Sequence, residues 1–201
     1  MKNMYFKYYS RKLRSGMIRW ILQGAPSPAP VRVKRKVLLR NASTESTWIE
    51  TGTYFGETAS YLAKRNVAKN VISLEPSPEL YRFAQNKWRK IHNLQILNES
   101  SESGFAKVIQ GLSGNINFWL DGHNSGDITF LGEHISPIEY ELGVIADNLK
   151  RLGSVTIFID DIRLFNGKDG YPKKEHLVEW ALDRELQWRI EHDIFIITSQ
   201  P

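Results

Sequence analysis

From Thr47 onward the apolar positions switch repeatedly between two periods. Short runs of β-branched and aromatic residues alternate with longer stretches in which apolar residues recur every three or four positions. These are the signatures of buried strand and amphipathic helix. "TWIETG" reads as a strand and "ETASYLAKR" as a helix. "NVISLEP" is a second strand, followed by the helix "SPELYRFAQNKWRKI", with Ser77 as N-cap and Pro78 at its first position. "NLQILNES" is a third strand, with a short helix near "SGFAKVIQ", and "INFWLDG" a fourth. A long polar loop leads to the helix "PIEYELGVIADNLKRL", then the strand "SVTIFIDDI" and the helix "KKEHLVEWALDREL". The end, "QWRIEHDIFIITSQ", reads as a tight antiparallel hairpin. The alternation predicts an α/β fold: a Rossmann-like, doubly wound sheet, mostly parallel, with a C-terminal antiparallel hairpin and helices on both faces. Trp119, Trp180 and Trp188 are expected in its core.

The pattern before Thr47 is different. "YFKYYSRKLRSGMIRWILQG" has the spacing of a cationic amphipathic helix, "APSPAP" interrupts it, and "VRVKRKVLLRNAS" suggests a second short helix leading into the core. Charge follows the same division. Residues 1–40 hold 11 of the 27 Lys and Arg and none of the 22 Asp and Glu, so the net +5 of the chain covers a body of net −6. We therefore divide the chain into a basic N-terminal arm, 1–40, and a domain, 41–201. The arm reads as a solvated segment plus a helix packed on the domain, though such a charge could also touch nucleic acid, an acidic partner or, peripherally, an anionic membrane surface. The chain has no apolar run long enough to span a bilayer, no visible signal peptide and no cysteine, which excludes disulfides and Cys nucleophiles and leads us to expect a cytoplasmic protein. A homo-oligomer is left open.

In open α/β sheets, ligands bind beyond the carboxyl ends of the strands. Glu50, Glu75, Glu99, Asp121, Asp160 and Asp161 all fall at or just past predicted strand ends. Helix capping accounts for some of these acids, but not readily for Glu50 and Glu75. In "WIETGTYFGET", Glu50 precedes Gly52 and Gly56, which allow a sharp turn and close approach of a ligand to the backbone ahead of a helix N-terminus. The spacing is G-x-x-x-G, not the G-x-G-x-x-G of dinucleotide sites. A carboxylate there would repel a pyrophosphate and attract an ammonium group or a cationic sulfur, both of which S-adenosylmethionine carries. Glu75, 25 residues on, is placed to accept the two ribose hydroxyls of an adenosine, a device shared with NAD sites.

These motifs, in this order, resemble class I S-adenosylmethionine-dependent methyltransferases, in particular the catechol-type and macrocin-type O-methyltransferases of small molecules and sugars. The resemblance covers about Thr47 to Ser199. It implies that Glu50, Gly52, Tyr54, Gly56 and Thr58 line the methionine part of the cofactor, that Glu75 holds the ribose, and that Ser101 and Glu102 in "LNESSES" flank the adenine. It also places Asp121, after the fourth strand, beside the cofactor. In the metal-dependent members Asp121, Asp160 and Asp161 would hold magnesium. Two positions depart from the pattern: Asn124 stands where the catechol-type enzymes have a basic lysine, and Asp161 where asparagine is common.

Charge alone also leads us to expect the metal. Three carboxylates converging at adjacent strand ends repel one another unless a cation joins them, and magnesium prefers oxygen ligands. His123, beside Asn124, is the candidate base, with Asp121 as the second catalytic residue. The expected function is O-methyl transfer to a small hydroxylated acceptor, such as a sugar or glycan-related metabolite, with magnesium assistance. Asp127, His134 and Arg163, in the loops that follow, are candidates to meet it. A nucleic-acid methyltransferase using the arm is disfavoured, because the acidic triad would stand in the path of phosphates. An NAD-dependent dehydrogenase lacks its glycine fingerprint, and a non-catalytic S-adenosylmethionine-binding module is the remaining alternative.

Overall fold

The alternation of strand and helix patterns builds one seven-stranded sheet. The computed structural model describes residues 17–65, 68–121, 137–168 and 170–199. After a short helix α1 (Met17–Leu22) come α2 (Val31–Asn41), β1 (Ser46–Thr51), α3 (Glu57–Ala63), β2 (Ala68–Leu74), α4 (Pro78–Trp88) and β3 (Leu94–Leu97). A single π-helical turn, Ser101–Phe105, runs into α5 (Ala106–Gln110). Then follow β4 (Ile116–Leu120), α6 (Ile138–Asn148), β5 (Val155–Ile159), a 3-10 turn at Ile162–Leu164, α7 (Lys174–Leu182), β6 (Gln187–Glu191) and β7 (Ile194–Thr198). The strand order is β3-β2-β1-β4-β5-β7-β6. Strands β1 to β5 are parallel, and β7 enters antiparallel to β5. The fold expected from the sequence is the one observed. Most of the expected cationic helix lies in residues 1–16, outside the described residues.

Strand residues alternate between two cores, because successive side chains point to opposite faces. Ile49, Phe118, Ile157 and Phe195 join one core, which α5, α6 and α7 cover with Ile109, Leu142, Ile145, Leu177 and Trp180. Trp48, Trp119, Phe158 and Ile196 join the other, covered by Val37 and Leu38 of α2 and Ala59 and Leu62 of α3. The helix α2 thus spans the boundary expected at residue 40 and belongs to the packed body. Burial of Val37 and Leu38 draws it in. Of the three tryptophans expected inside, Trp119 and Trp180 are buried. Trp188 lies on the edge strand β6, is 40% exposed, and stacks on Phe195 with ring centroids 5.4 Å apart.

The terminal hairpin turns at His192 and Asp193, both with positive φ (46° and 69°), as a two-residue hairpin loop requires. Among the described residues no helix is long and apolar enough to cross a membrane.

The register sets the site. Thr51 pairs with Leu120, and Leu120 with Ile159, so β1, β4 and β5 end in one row. Asp121 and Asp160 stand one residue beyond it, with their N–H groups donating to Thr51 O (3.2 Å) and Leu120 O (3.1 Å).

Candidate active site at the carboxyl edge of the sheet

The turn after β1 is held in a run of alternating left-handed residues: Gly52 (φ 80°), Tyr54 (φ 52°) and Gly56 (φ 69°). A non-glycine residue at positive φ persists only where its surroundings fix it. For Tyr54 the anchor is Glu75: its carboxylate accepts the Tyr54 N–H at 2.7 Å through one oxygen and the Ser77 N–H at 3.0 Å through the other. The Gly52 and Thr53 N–H groups both donate to Leu74 O at 3.1 Å. Turn and second strand are therefore one unit, with Glu75 as its joint. Burial pushes Glu75 up to about 7, against the pull of those two N–H groups.

Gly56 has a reason of its own. A Cβ there would come within 2.8 Å of the Trp88 indole, whose N–H donates to Phe55 O at 2.8 Å. The glycine also serves the packing of α4 against the turn, beside the sharp turn and ligand approach expected from the sequence. Helix α3, which begins at Glu57, is seven residues long, and Thr58 in its first turn is half-buried.

Glu50 is 2% exposed at the end of β1. Burial pushes it up to about 8; Asp121 and Glu75 add to the rise, while a hydrogen bond from the Ser73 hydroxyl and the nearby Arg35 oppose it. Arg35 comes from α2 and also lies over the Tyr61 ring, 5.0 Å from its centroid.

Past β3, Ser101 is buried and donates to Glu141 Oε1 of α6 at 2.5 Å, while Glu102 is exposed. Gly104 lets this π turn sit on β2: a Cβ there would lie 2.6 Å from Glu99 Cβ and 2.9 Å from a Leu74 methyl group. Burial pushes Glu141 up to about 7, opposed by the Ser101 hydroxyl.

The acidic pair after β5 is the largest departure from expectation. Lys34 of α2, itself 9% exposed, places Nζ 2.5 Å from Asp160 Oδ1 and 2.7 Å from Asp161 Oδ1. On the far side, the Arg163 guanidinium donates to Asp161 at 2.6 Å and also to Asp193 in the hairpin turn. Arg163, expected to face an acceptor, is engaged here as an anchor. Burial works to lower the Lys34 pKa, but Asp160 and Asp161 outweigh it and hold it above its ordinary value. Burial and Asp121 press Asp160 upward, against the attraction of Lys34. The ammonium of Lys34, so close to two carboxylates, keeps its charged form.

Asp121 is close enough to Glu50, Asp160 and Tyr171 to raise each of them. Tyr171 is pushed up to about 12 by burial first, then by Asp161 and Asp121.

The structure thus brings Glu50, Gly52, Tyr54, Glu75, Asp121, Asp160 and Asp161 to one edge. His123 lies outside the described residues, as do Asn124, Asp127 and His134. Among the described residues no group of three or more His, Asp or Glu is placed to hold a metal ion. The expected magnesium does not fit the Asp160–Asp161 pair as it stands, because Lys34 already supplies the joining cation. The arm's own sequence carries the missed signal: Lys34, Val37, Leu38 and Asn41 recur at helical spacing, so the lysine lies on the core-facing stripe. Glu141 was missed in the same way, on the stripe of Ile138, Leu142 and Ile145.

No protein-family model matches the chain, and no curated protein matches it in sequence. Solved structures do match in fold. The N-methyltransferase NodS from Bradyrhizobium japonicum WM9 superposes with a TM-score of 0.54 at 13% identity, over 82–83% of this chain for it and for a protein from Clostridium thermocellum assigned as an rRNA methylase (TM-score 0.53, 13% identity), and over 93% of each neighbour. SMU.1697c from Streptococcus mutans, assigned as a methyltransferase and solved in complex with SAH, gives 0.52 at 16% identity, covering 86% of this chain and 97% of that one. The architecture of this chain is accordingly similar to the Rossmann-like fold of these three proteins.

Proposed function

We propose that the chain is an S-adenosylmethionine-dependent methyltransferase acting on a hydroxyl of a small polar acceptor, such as a sugar or glycan-related metabolite, in the cytoplasm. One observation carries the cofactor assignment: Glu75 joins the left-handed turn to the second strand, with one hydrogen bond to each oxygen from the described residues. A carboxylate has about four acceptor positions, so the residue that shapes the turn keeps acceptor capacity for a pair of ribose hydroxyls. Glu50 supports the same reading. It is a buried acid held up by desolvation, and an arriving ammonium or sulfonium would favour its ionised form. Gly52, Tyr54, Gly56 and Thr58 would border the methionine part, and Ser101 and Glu102 the base.

When bound, the cofactor supplies a methyl group on a cationic sulfur. The protein's part is to align the acceptor oxygen, exclude water and take up the hydroxyl proton. We assign the proton to His123, with Asp121 orienting the acceptor at the end of β4. The inward placement of Lys34 and Arg35 removes two cations from any phosphate-binding face of the arm, which weighs against nucleic acid.

The test is calorimetric. SAH should bind the full chain, and Glu75→Ala should weaken it by about 1.5–3 kcal/mol, the range for hydrogen bonds to a charged group. Unchanged affinity in a folded Glu75→Ala variant, or tight binding of NAD by the parent, would refute the assignment.

A further inference from the structure

The acids beyond β5 were expected to need an ion, and α2 delivers one. Lys34 is not a mobile surface lysine. Val37 and Leu38, one helical turn on, are buried in the sheet's second core. The end of the helix is tied down as well: Arg40 pairs with Glu191, Asn41 donates to the same carboxylate at 3.4 Å, and Arg189 donates to Asn41. Nζ of Lys34 therefore has a fixed position between two carboxylate oxygens. A magnesium ion using those oxygens would need them at about 2.0–2.1 Å, in direct repulsion with an ammonium that already contacts both.

Among the described residues the surrounding charges leave the arrangement slightly acidic. Asp160, Asp161 and Asp193 face Lys34 and Arg163, and Asp121 adds a negative charge felt at Asp160. Such a cluster is neutralised enough to persist without metal, and its acidity would be exposed by removing one cation.

We propose that Lys34 is a tethered cation standing in the place of a divalent metal at the Asp160–Asp161 pair, so that α2 completes the site and the chain works without metal. The catalytic consequence rests on the methyltransferase reading; the ion-binding consequence does not. In catalysis Lys34 is a positioning residue: it holds Asp160 and Asp161 together at the edge where Asp121 stands.

The test uses Mn2+ as probe, followed by electron paramagnetic resonance on the full chain. The parent and Lys34→Arg should show no binding tighter than about millimolar, the weak end of carboxylate sites. Lys34→Met should bind Mn2+ at least about tenfold more tightly than the parent, a difference of about 1.4 kcal/mol. Adding Asp160→Asn to that variant should abolish the gain. A purely structural ion pair would lose stability on substitution without acquiring an ion. If Lys34→Met does not fold alone, millimolar Mn2+ should restore its thermal transition. Tight Mn2+ binding by the parent that Asp161→Asn removes would overturn the proposal, as would a Lys34→Met chain that Mn2+ neither binds nor restores. SAH calorimetry on the parent, with and without chelator, is the separate arm: absence of SAH binding counts against the methyltransferase reading and leaves the ion result standing.

Discussion

Gly56 offers a quantitative test of how the glycine turn is built. Substitution by alanine perturbs two things at once. The residue sits at φ 69°, where a side chain costs about 1–2 kcal/mol. The added Cβ would also meet Trp88 Cδ1 and Nε1 at 2.8 Å, closer than packing allows. Relieving such a contact in a packed region costs typically about 1–3 kcal/mol. If the indole moves, its hydrogen bond to Phe55 O is strained or lost, a further ~0.5–1.5 kcal/mol. Gly56→Ala should therefore destabilise the chain by about 2–5 kcal/mol from backbone and contact together, and by more where the hydrogen bond is lost, read from urea unfolding followed by tryptophan fluorescence and linear extrapolation. The double-mutant cycle with Trp88→Ala separates the terms. In the Trp88→Ala background the cost should fall to the backbone part, about 1–2 kcal/mol. Equal costs in the two backgrounds would show that the indole is not what the glycine accommodates, and a cost below about 0.5 kcal/mol, the scale of neutral surface changes, would refute the strained turn as well.

Glu141 ties the stability of the fold to pH. Its carboxyl is pushed up to about 7 from an ordinary 4.5, so the folded state favours the protonated form; the stability it contributes is complete below pH 4.5 and lost as pH rises through about 7. Glu141→Gln, which can still accept the Ser101 hydroxyl, should flatten that decline and stabilise the chain at pH 8 by up to ~3 kcal/mol; parallel pH profiles of urea midpoints for parent and variant would contradict this. Trp119→Ala should cost about 3–5 kcal/mol as a core truncation, whereas Trp188→Ala, on the exposed edge strand, should cost under about 1.5 kcal/mol, the upper worth of an aromatic pair. Equal losses in thermal or urea unfolding would mean that the edge strand is covered in solution.

The two-fold periodicity of "TWIET", "INFWL" and "VTIFI" sent alternate residues to two cores, which is why order and type of element were legible from the sequence. The positions of Glu50, Glu75, Asp121, Asp160 and Asp161 were legible too, because a parallel sheet presents all its strand ends at one edge. What neutralises them was not. A strand end announces itself through neighbours in sequence, but Lys34 lies 126 residues from Asp160, in a segment whose composition suggested a solvated arm. Net charge concealed it, since ten other basic residues share the first forty positions. Trp188 misled for a different reason: "QWRIE" alternates polar and apolar residues where "INFWL" and "VTIFI" are nearly all apolar, and the topology places it at the edge.

On the proposed function, a cofactor with adenosine and a cationic methionine end binds where β1 and β2 terminate. Amide hydrogen exchange on the full chain, with and without saturating SAH, tests this most directly. Protection should concentrate in the turn 50–58, in 75–77 around the Glu75 carboxylate, and in the π turn 101–105. The distant edge strand Gln187–Glu191 should be unchanged. Exchange that SAH leaves unaltered throughout, or protection confined to other segments, would contradict the claim.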